Sequence, residues 1–253
     1  MRLRERIEFS VEIKGSVALV TGANRGLGQA IARTLLERGA ARVYGAARRV
    51  DTITDADVVP IELDVTDPTQ VQRVAQQCGD VTLLVNNAGV ITAEPLMSMP
   101  DLDSARAVME TNCWSMLTMC RAFAPTLAAG GGGAIVNILS VASWVGVPDS
   151  GPYSMAKAAA WALTNCVRIE LSSQGTLVVG VHSGYIDTDM VADFSGPKTS
   201  PDDVASQIAE GVEAGSLEVL TDEAAHQVKA ALSLDPGLLY ARIQDSWDRT
   251  HGS

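Results

Sequence analysis

The sequence predicts one α/β domain: a doubly wound parallel sheet of about seven strands with helices on both faces. Three observations carry that expectation. The apolar run Val17-Ala18-Leu19-Val20 leads through Thr21-Gly22-Ala23-Asn24-Arg25-Gly26-Leu27-Gly28 into Gln29–Leu36, whose apolar positions recur at helical spacing. Apolar strands and helical patterns then alternate along nearly the whole chain with short turns, which calls for parallel strands joined by crossovers. Runs such as Val81-Thr82-Leu83-Leu84-Val85 are apolar without alternation, as strands buried on both faces are. A length of 253 residues suits a single domain, and a content of 47% hydrophobic but only 4% aromatic residues suits Ala, Val and Leu packed between helices. The opening strand, glycine turn and helix make the expected fold Rossmann-type.

Residues 1–13, with alternating charges in Arg2-Leu3-Arg4-Glu5-Arg6, are expected to be an extension, and 14–253 the domain. After the first strand–helix unit, Arg42–Ala47 reads as a second strand, ended by Arg48-Arg49. A third, Val58–Leu63, ends in Asp64-Val65. Asp67-Pro68 opens a helix to about Cys78, with proline where a missing N–H costs little. The strand Val81–Val85 ends in Asn86-Asn87-Ala88-Gly89. A long helix is expected from about Asp101 to Leu127, turned back by Gly130–Gly133 into the strand Ala134–Leu139, which ends at Ser140. Pro148 and Pro152 punctuate a loop, and Tyr153 to about Ser173 has sustained helix period, closed by Gln174-Gly175. Leu177–Val181 is a further strand. Helical patterns follow near 201–214, 222–232 and 238–248, with Leu217–Leu220 a last strand.

A net charge of −11 argues against a phosphate-backbone partner, because nucleic-acid binding needs a basic face. The four cysteines, Cys78, Cys113, Cys120 and Cys166, show no paired metal spacing, so no metal is expected. They read as reduced core thiols of a cytoplasmic protein. The start lacks an apolar stretch of secretory length, and no segment reaches about 18 uninterrupted apolar residues, so neither export nor membrane insertion is expected.

Four groups fall at the carboxyl ends of strands, where open α/β sheets build their sites. They are the glycine turn, Asn86-Asn87-Ala88-Gly89, Ser140, and Ser183-Gly184-Tyr185-Ile186-Asp187-Thr188. Glycines serve the turn because it visits backbone angles a Cβ forbids and because a diphosphate must approach main-chain N–H groups at a helix start. Tyr153 and Lys157, four apart, project from one helix face. An ammonium beside a phenol favours the phenolate and pulls its pKa toward neutrality.

With Gly22, Gly26, Gly28, Asp64, Asn86-Asn87-Ala88-Gly89, Asn112, Ser140 and Tyr153-Ser154-Met155-Ala156-Lys157 in this order, the chain resembles the short-chain dehydrogenase/reductase family from about Lys14 to Leu220. The resemblance implies hydride transfer between a nicotinamide dinucleotide and a carbonyl or alcohol. It implies Tyr153 as the general acid or base and Ser140 as a hydrogen-bond partner of the same substrate oxygen. Lys157 would lower the Tyr153 pKa and bind ribose hydroxyls, and Asn112 would hold a water linking Lys157 to solvent. The dinucleotide would lie along Gly22, Asn24, Arg25, Gly26, Leu27 and Gly28. Asp64 and Val65 would meet the adenine, Asn87, Ala88 and Gly89 the adenosine ribose, and Gly184, Ile186 and Thr188 the nicotinamide end. The second strand ends without an acidic residue and runs into Arg48-Arg49, while Arg25 lies inside the glycine turn. Guanidinium groups match a 2′-phosphate, so the expected cofactor is NADP(H). Where the family has Pro-Gly this chain has Ser183-Gly184, which predicts a looser turn at the nicotinamide end.

Loops at about 141–152 and 185–200 would carry the substrate. Their bulky residues Trp144, Val145, Val147, Tyr185, Met190, Val191 and Phe194 suggest a hydrophobic carbonyl compound, and 193–200 reads as a mobile lid. His182 reads as a strand-end residue. The alternative to an enzyme is a non-catalytic dinucleotide-binding redox sensor; such sensors usually lose the acid, whereas Ser140, Tyr153 and Lys157 are all present. The resemblance implies dimers or tetramers built through the helices holding Asn112 and Tyr153, and here those helices carry Trp114, Met116, Met119, Phe123, Trp161, Leu163 and Val167, more apolar surface than one sheet face needs, so a homodimer or homotetramer is expected.

Overall fold

The computed structural model describes residues 11–251. Among them, strands β1 (Val17–Thr21), β2 (Arg42–Ala47), β3 (Val58–Glu62), β4 (Leu83–Asn86), β5 (Gly133–Ile138), β6 (Thr176–His182) and β7 (Glu218–Leu220) form one sheet in the order β3-β2-β1-β4-β5-β6-β7, every pair parallel. The order reverses between β1 and β4. There the loops leaving the two strands diverge and open a crevice at their carboxyl ends.

Side chains alternate between two apolar layers because successive residues of a strand face opposite ways. Ala18, Val20, Leu83, Val85, Ala134 and Val136 face helices α1 (Gly26–Glu37) and α6 (Pro201–Glu213), meeting Ile31, Leu35, Val204 and Ile208. Leu19, Leu84, Ile135 and Val178 face the other way. They meet Val71 and Val74 of α2 (Pro68–Gln77), Met119 and Phe123 of α4 (Ser115–Ala129), and Ala160 and Val167 of α5 (Gly151–Glu170). Asp67 starts α2 as expected, its carboxylate accepting from the Thr69 and Gln70 N–H groups ahead of Pro68. Two further helices, α7 (Glu223–Ala231) and α8 (Pro236–His251), follow β7.

The helix expected over 101–127 is two helices, α3 (Asp103–Met109) and α4, joined by one π turn, Glu110–Trp114. A π turn inserts a residue and leaves the helical ladder slack, and here the Ser115 hydroxyl donates to the Thr111 carbonyl at 2.6 Å. Most of the expected N-terminal extension lies outside the described residues; Ile13, however, is fully buried in the core and Val11 packs against it. Cys78, Cys113 and Cys120 are buried, but Cys166 is exposed and is not a core thiol. Of the seven apolar residues assigned to an interface, Met116, Met119, Phe123 and Val167 are buried within the chain, because α4 and α5 lie flat on the sheet. The outward apolar surface of these helices is instead Trp114, Met155 and Ile169, with Trp161 and Leu163 half-buried.

Candidate active site

The loops at the carboxyl edge enclose one cleft of about 1210 Å³. Its near wall is the glycine turn. Gly22 has φ +67° and Gly26 φ +53°, and a Cβ on Gly28 would collide with the Gly22 carbonyl oxygen. Arg25 caps α1 through backbone alone, so the first N–H groups of the helix face the cleft, as an anionic group requires. Across the crevice, the Asn87 amide donates to the Thr21 carbonyl at 2.8 Å and the Gly22 carbonyl at 3.2 Å, tying the ends of β1 and β4 together. Asn86 donates to Asn137 at 2.8 Å and Asn137 to Thr164 at 3.0 Å, a buried chain that locks β4 and β5 to α5.

All the residues expected to meet a dinucleotide line this cleft: Gly22, Asn24, Arg25, Gly26, Leu27, Gly28, Arg48, Asp64, Val65, Asn87, Ala88, Gly89, Tyr153, Lys157, Gly184, Ile186 and Thr188. Arg48 and Arg49 are exposed on its rim, and no carboxylate pairs with either among the described residues. Arg25 is different. Its guanidinium pairs with Asp189 at 3.1 Å rather than standing free beside Arg48. Asp64 spends one carboxylate oxygen on the Thr66 N–H and hydroxyl, which shapes the turn after β3.

At the far end, Tyr153 and Lys157 occupy the first two turns of α5 and Ser140 follows β5. The Ser140 hydroxyl and the Tyr153 phenol share this end of the cleft. Burial pushes that phenol up to about 12, against an opposing pull from Ser140. The expected lowering by Lys157 is not present: its Nζ lies 5.6 Å from the Tyr153 ring centre and donates to the Ile138 carbonyl at 2.7 Å. Burial brings the Lys157 ammonium down to about 8. Asn112 is buried and does not line the cleft; its amide accepts from the Val90 N–H at 2.9 Å and donates to the Val90 carbonyl at 2.7 Å. Gly89 makes room for this arrangement, since a Cβ would fall 2.9 Å from Asn112 Oδ1.

The turn after β6 is tight rather than loose. The Ser183 and Thr221 hydroxyls share a 2.6 Å bond, and Asp222 accepts from the Gly184 N–H at 2.6 Å, so side chains from the end of β7 hold a turn that proline would otherwise stiffen. Tyr185 and Met190 line the cleft, as do Val147 and Val191. Trp144, Val145 and Phe194 do not. Val145 is buried, Trp144 stacks on His182 and Phe194 stacks on Tyr185, because in each case a neighbouring side chain offers more buried contact than the open cleft. The loop carrying the expected lid is closed at its stem: Asp187 N–H donates to the Thr199 carbonyl and Thr199 N–H to the Tyr185 carbonyl, each at 2.9 Å. Thr52, Thr66, Val90, Ile91 and Ser150 also line the cleft and carry no motif in the sequence. The Tyr240 hydroxyl of α8 accepts from the Gly146 N–H at 3.2 Å, a contact across 94 residues with no sequence signal.

A crevice at the switch point of a parallel sheet, glycine-lined at one end and holding a tyrosine, serine and lysine at the other, defines a dinucleotide-dependent oxidoreductase. The model of the short chain dehydrogenase family matches residues 16–198. The chain belongs to that family, whose members work with NAD(P). It is 31% identical to the 3-oxoacyl-(acyl-carrier-protein) reductase FabG of Escherichia coli over 90% of this chain and 99% of the relative. It is 34% identical to the cis-4-hydroxycyclohexanecarboxylate dehydrogenase of Sinomonas cyclohexanicum, over 87% and 95%. A short chain dehydrogenase from Burkholderia cenocepacia, solved in complex with NADP, is 39% identical and superposes with a TM-score of 0.88 over 92% of this chain and 99% of that one. No helix among the described residues is long and apolar enough to cross a membrane.

Proposed function

We propose that the protein is an NADP(H)-dependent reductase of hydrophobic ketones or aldehydes, running in reverse as a secondary-alcohol dehydrogenase. The observation that carries this reading is that Ser140, Tyr153 and Lys157 line one end of the same cleft, with Lys157 buried one helical turn from Tyr153. The glycine cradle and Arg48 and Arg49, which no carboxylate pairs among the described residues, fit a phosphorylated dinucleotide, whose 2′-phosphate Arg48 would hold. When bound, NADPH supplies the hydride. Tyr153, neutral at physiological pH, delivers its proton to the carbonyl oxygen as the new C–H bond forms, so no free alkoxide is left. Ser140 donates to the same oxygen and holds it against Tyr153. Lys157 would bind the nicotinamide ribose hydroxyls. Tyr185, Met190, Val147 and Val191 supply an apolar wall for the substrate. A redox sensor needs none of the proton chemistry, so the intact Ser140–Tyr153 pair favours the enzyme. The apolar Trp114, Trp161, Leu163 and Ile169 on α5 and beside α4 support a homodimer or homotetramer, and three buried thiols a reducing, cytoplasmic setting. The test is a panel of apolar ketones followed by NADPH absorbance; binding of NADPH without turnover on any of them would leave the sensor.

A further inference from the structure

His182 is fully buried at the end of β6, on the reverse side of Ser140, and the chemistry above does not use it. Its Nδ1 lies 3.2 Å from the Ser140 carbonyl oxygen. A carbonyl only accepts, so Nδ1 carries the proton and the ring is the Nδ1–H tautomer. The ring stacks on Trp144 with 3.8 Å between centres and 16° between planes, and the Lys229 ammonium lies 4.8 Å from the centre of that indole. Three charged side chains face the histidine. Glu218 of β7 stands 4.0 Å from Nε2 but is bound to Lys229 of α7 at 2.6 Å, and Arg168 lies on α5. Burial holds the imidazole at about 4, so it is neutral wherever the enzyme works.

Every polar group of Ser140 is held. Its N–H donates to the Ser143 hydroxyl at 3.2 Å, its hydroxyl accepts from the Ala142 N–H at 3.1 Å, and its carbonyl accepts from the Ser143 N–H at 3.0 Å as well as from His182. The first three contacts lie within four residues and turn as one piece. Backbone bonds on either side join this piece to β6, Leu139 N–H to the Val181 carbonyl at 2.8 Å and Val141 N–H to the Ser183 carbonyl at 2.9 Å, and the Ser140 hydroxyl donates to the Ser183 carbonyl at 3.5 Å; His182 is the side chain of that strand that reaches Ser140 itself.

We propose that His182 is a positioning residue for the reaction: clamped against Trp144, it donates from Nδ1 to the Ser140 carbonyl and so sets the angle from which the Ser140 hydroxyl meets Tyr153. The proposal rests on the functional reading above for its kinetic consequence and on geometry alone for the hydrogen bond. Small displacements of an orienting group cost rate far more than they cost binding.

Two variants separate the donor from the packing. His182→Phe keeps the ring and the stack but removes the N–H; His182→Asn loses the stack but returns an N–H near the position of Nδ1. Expected for His182→Phe is a kcat lowered about tenfold or more with NADPH Kd and Tm at wild-type values. Because Ser140 pulls the Tyr153 phenol down, the alkaline limb of alcohol oxidation should also move to higher pH. That phenol is faced by Ser140, Lys157 and Tyr185, of which only Ser140 is touched by the change. His182→Asn should recover most of the rate. A His182→Phe enzyme with wild-type kcat and pH profile overturns the proposal, as does an equal loss in both variants with weakened NADPH binding, which is what packing alone would give. A measurement free of substrate decides the bond itself. With three histidines in the chain, ¹⁵N spectra of histidine-labelled protein should show one imidazole protonated at Nδ1 and bare at Nε2, slow to exchange; the opposite tautomer at His182 overturns it. Failure of the functional reading looks different: wild-type protein silent on every ketone while the Nδ1–H signal stands.

Discussion

Arg25, in the glycine turn, and Asp189, in the loop after β6, form an ion pair at 3.1 Å across the mouth of the cleft, 164 residues apart in the chain. Their side chains are 72% and 79% exposed, so the pair is screened and holds with about 0–1 kcal/mol. It competes with any role of Arg25 toward a 2′-phosphate, and on the proposed reading Arg48 would carry the discrimination. Arg48→Ala is therefore expected to lower the NADPH:NADH ratio of kcat/KM by roughly 10- to 150-fold, the equivalent of one charge-assisted contact of about 1.5–3 kcal/mol. Asp189→Ala, which releases Arg25, should change the ratio by less than about fivefold. Steady-state kinetics with both cofactors checks the two variants; an unchanged ratio in Arg48→Ala would return the discrimination to Arg25 or Arg49.

Tyr153→Phe should lower kcat by about 100-fold or more while NADPH binds as before, since general acid catalysis contributes on that scale. The pH dependence follows from the direction of the shift. A phenol pushed up to about 12 by burial is protonated across the neutral range, so its proton is available for reduction there. Alcohol oxidation needs the phenolate and should climb with pH throughout that range. Initial rates in both directions from pH 6 to 10 provide the check, and an oxidation rate that fell with rising pH would remove Tyr153 as the base.

Thr221→Val tests the brace under the Ser183-Gly184 turn. It leaves a buried hydroxyl without its 2.6 Å partner, at a cost of about 1–3 kcal/mol. At about 2–4 °C per kcal/mol for a chain of this size, thermal unfolding should shift down by several degrees. NADPH Kd should rise with it, because Gly184 is positioned from the same strand end. A variant with wild-type Tm and Kd would show that the turn holds itself.

Light scattering should give at least twice the 26.6 kDa protomer mass at micromolar concentration. Charges placed on the outward apolar surface, Trp114→Glu with Ile169→Glu, should release monomers that keep their fold by circular dichroism. Wild-type protein at the protomer mass would sink the assembly.

What the chain order alone determined is local in origin. The glycine turn, the placement of Tyr153 and Lys157 on one face, and the run of strands and helices were all readable, because each depends on the backbone of a single turn or helix and on a period of 2 or 3.6 residues. The cleft lining followed too, since every strand end in a parallel sheet must come to the same edge. The π turn escaped, because an inserted residue leaves the apolar pattern on either side intact. Tertiary packing decided which of the bulky loop residues reach the cleft. Trp144 turned to His182 and Phe194 to Tyr185, choices made by the nearest available ring rather than by any spacing in the sequence. It also decided the long-range polar contacts: Arg25 with Asp189, Ser183 with Thr221, His182 with Ser140. These join loops that no periodicity relates, and their partners are set by where the strand ends meet in space.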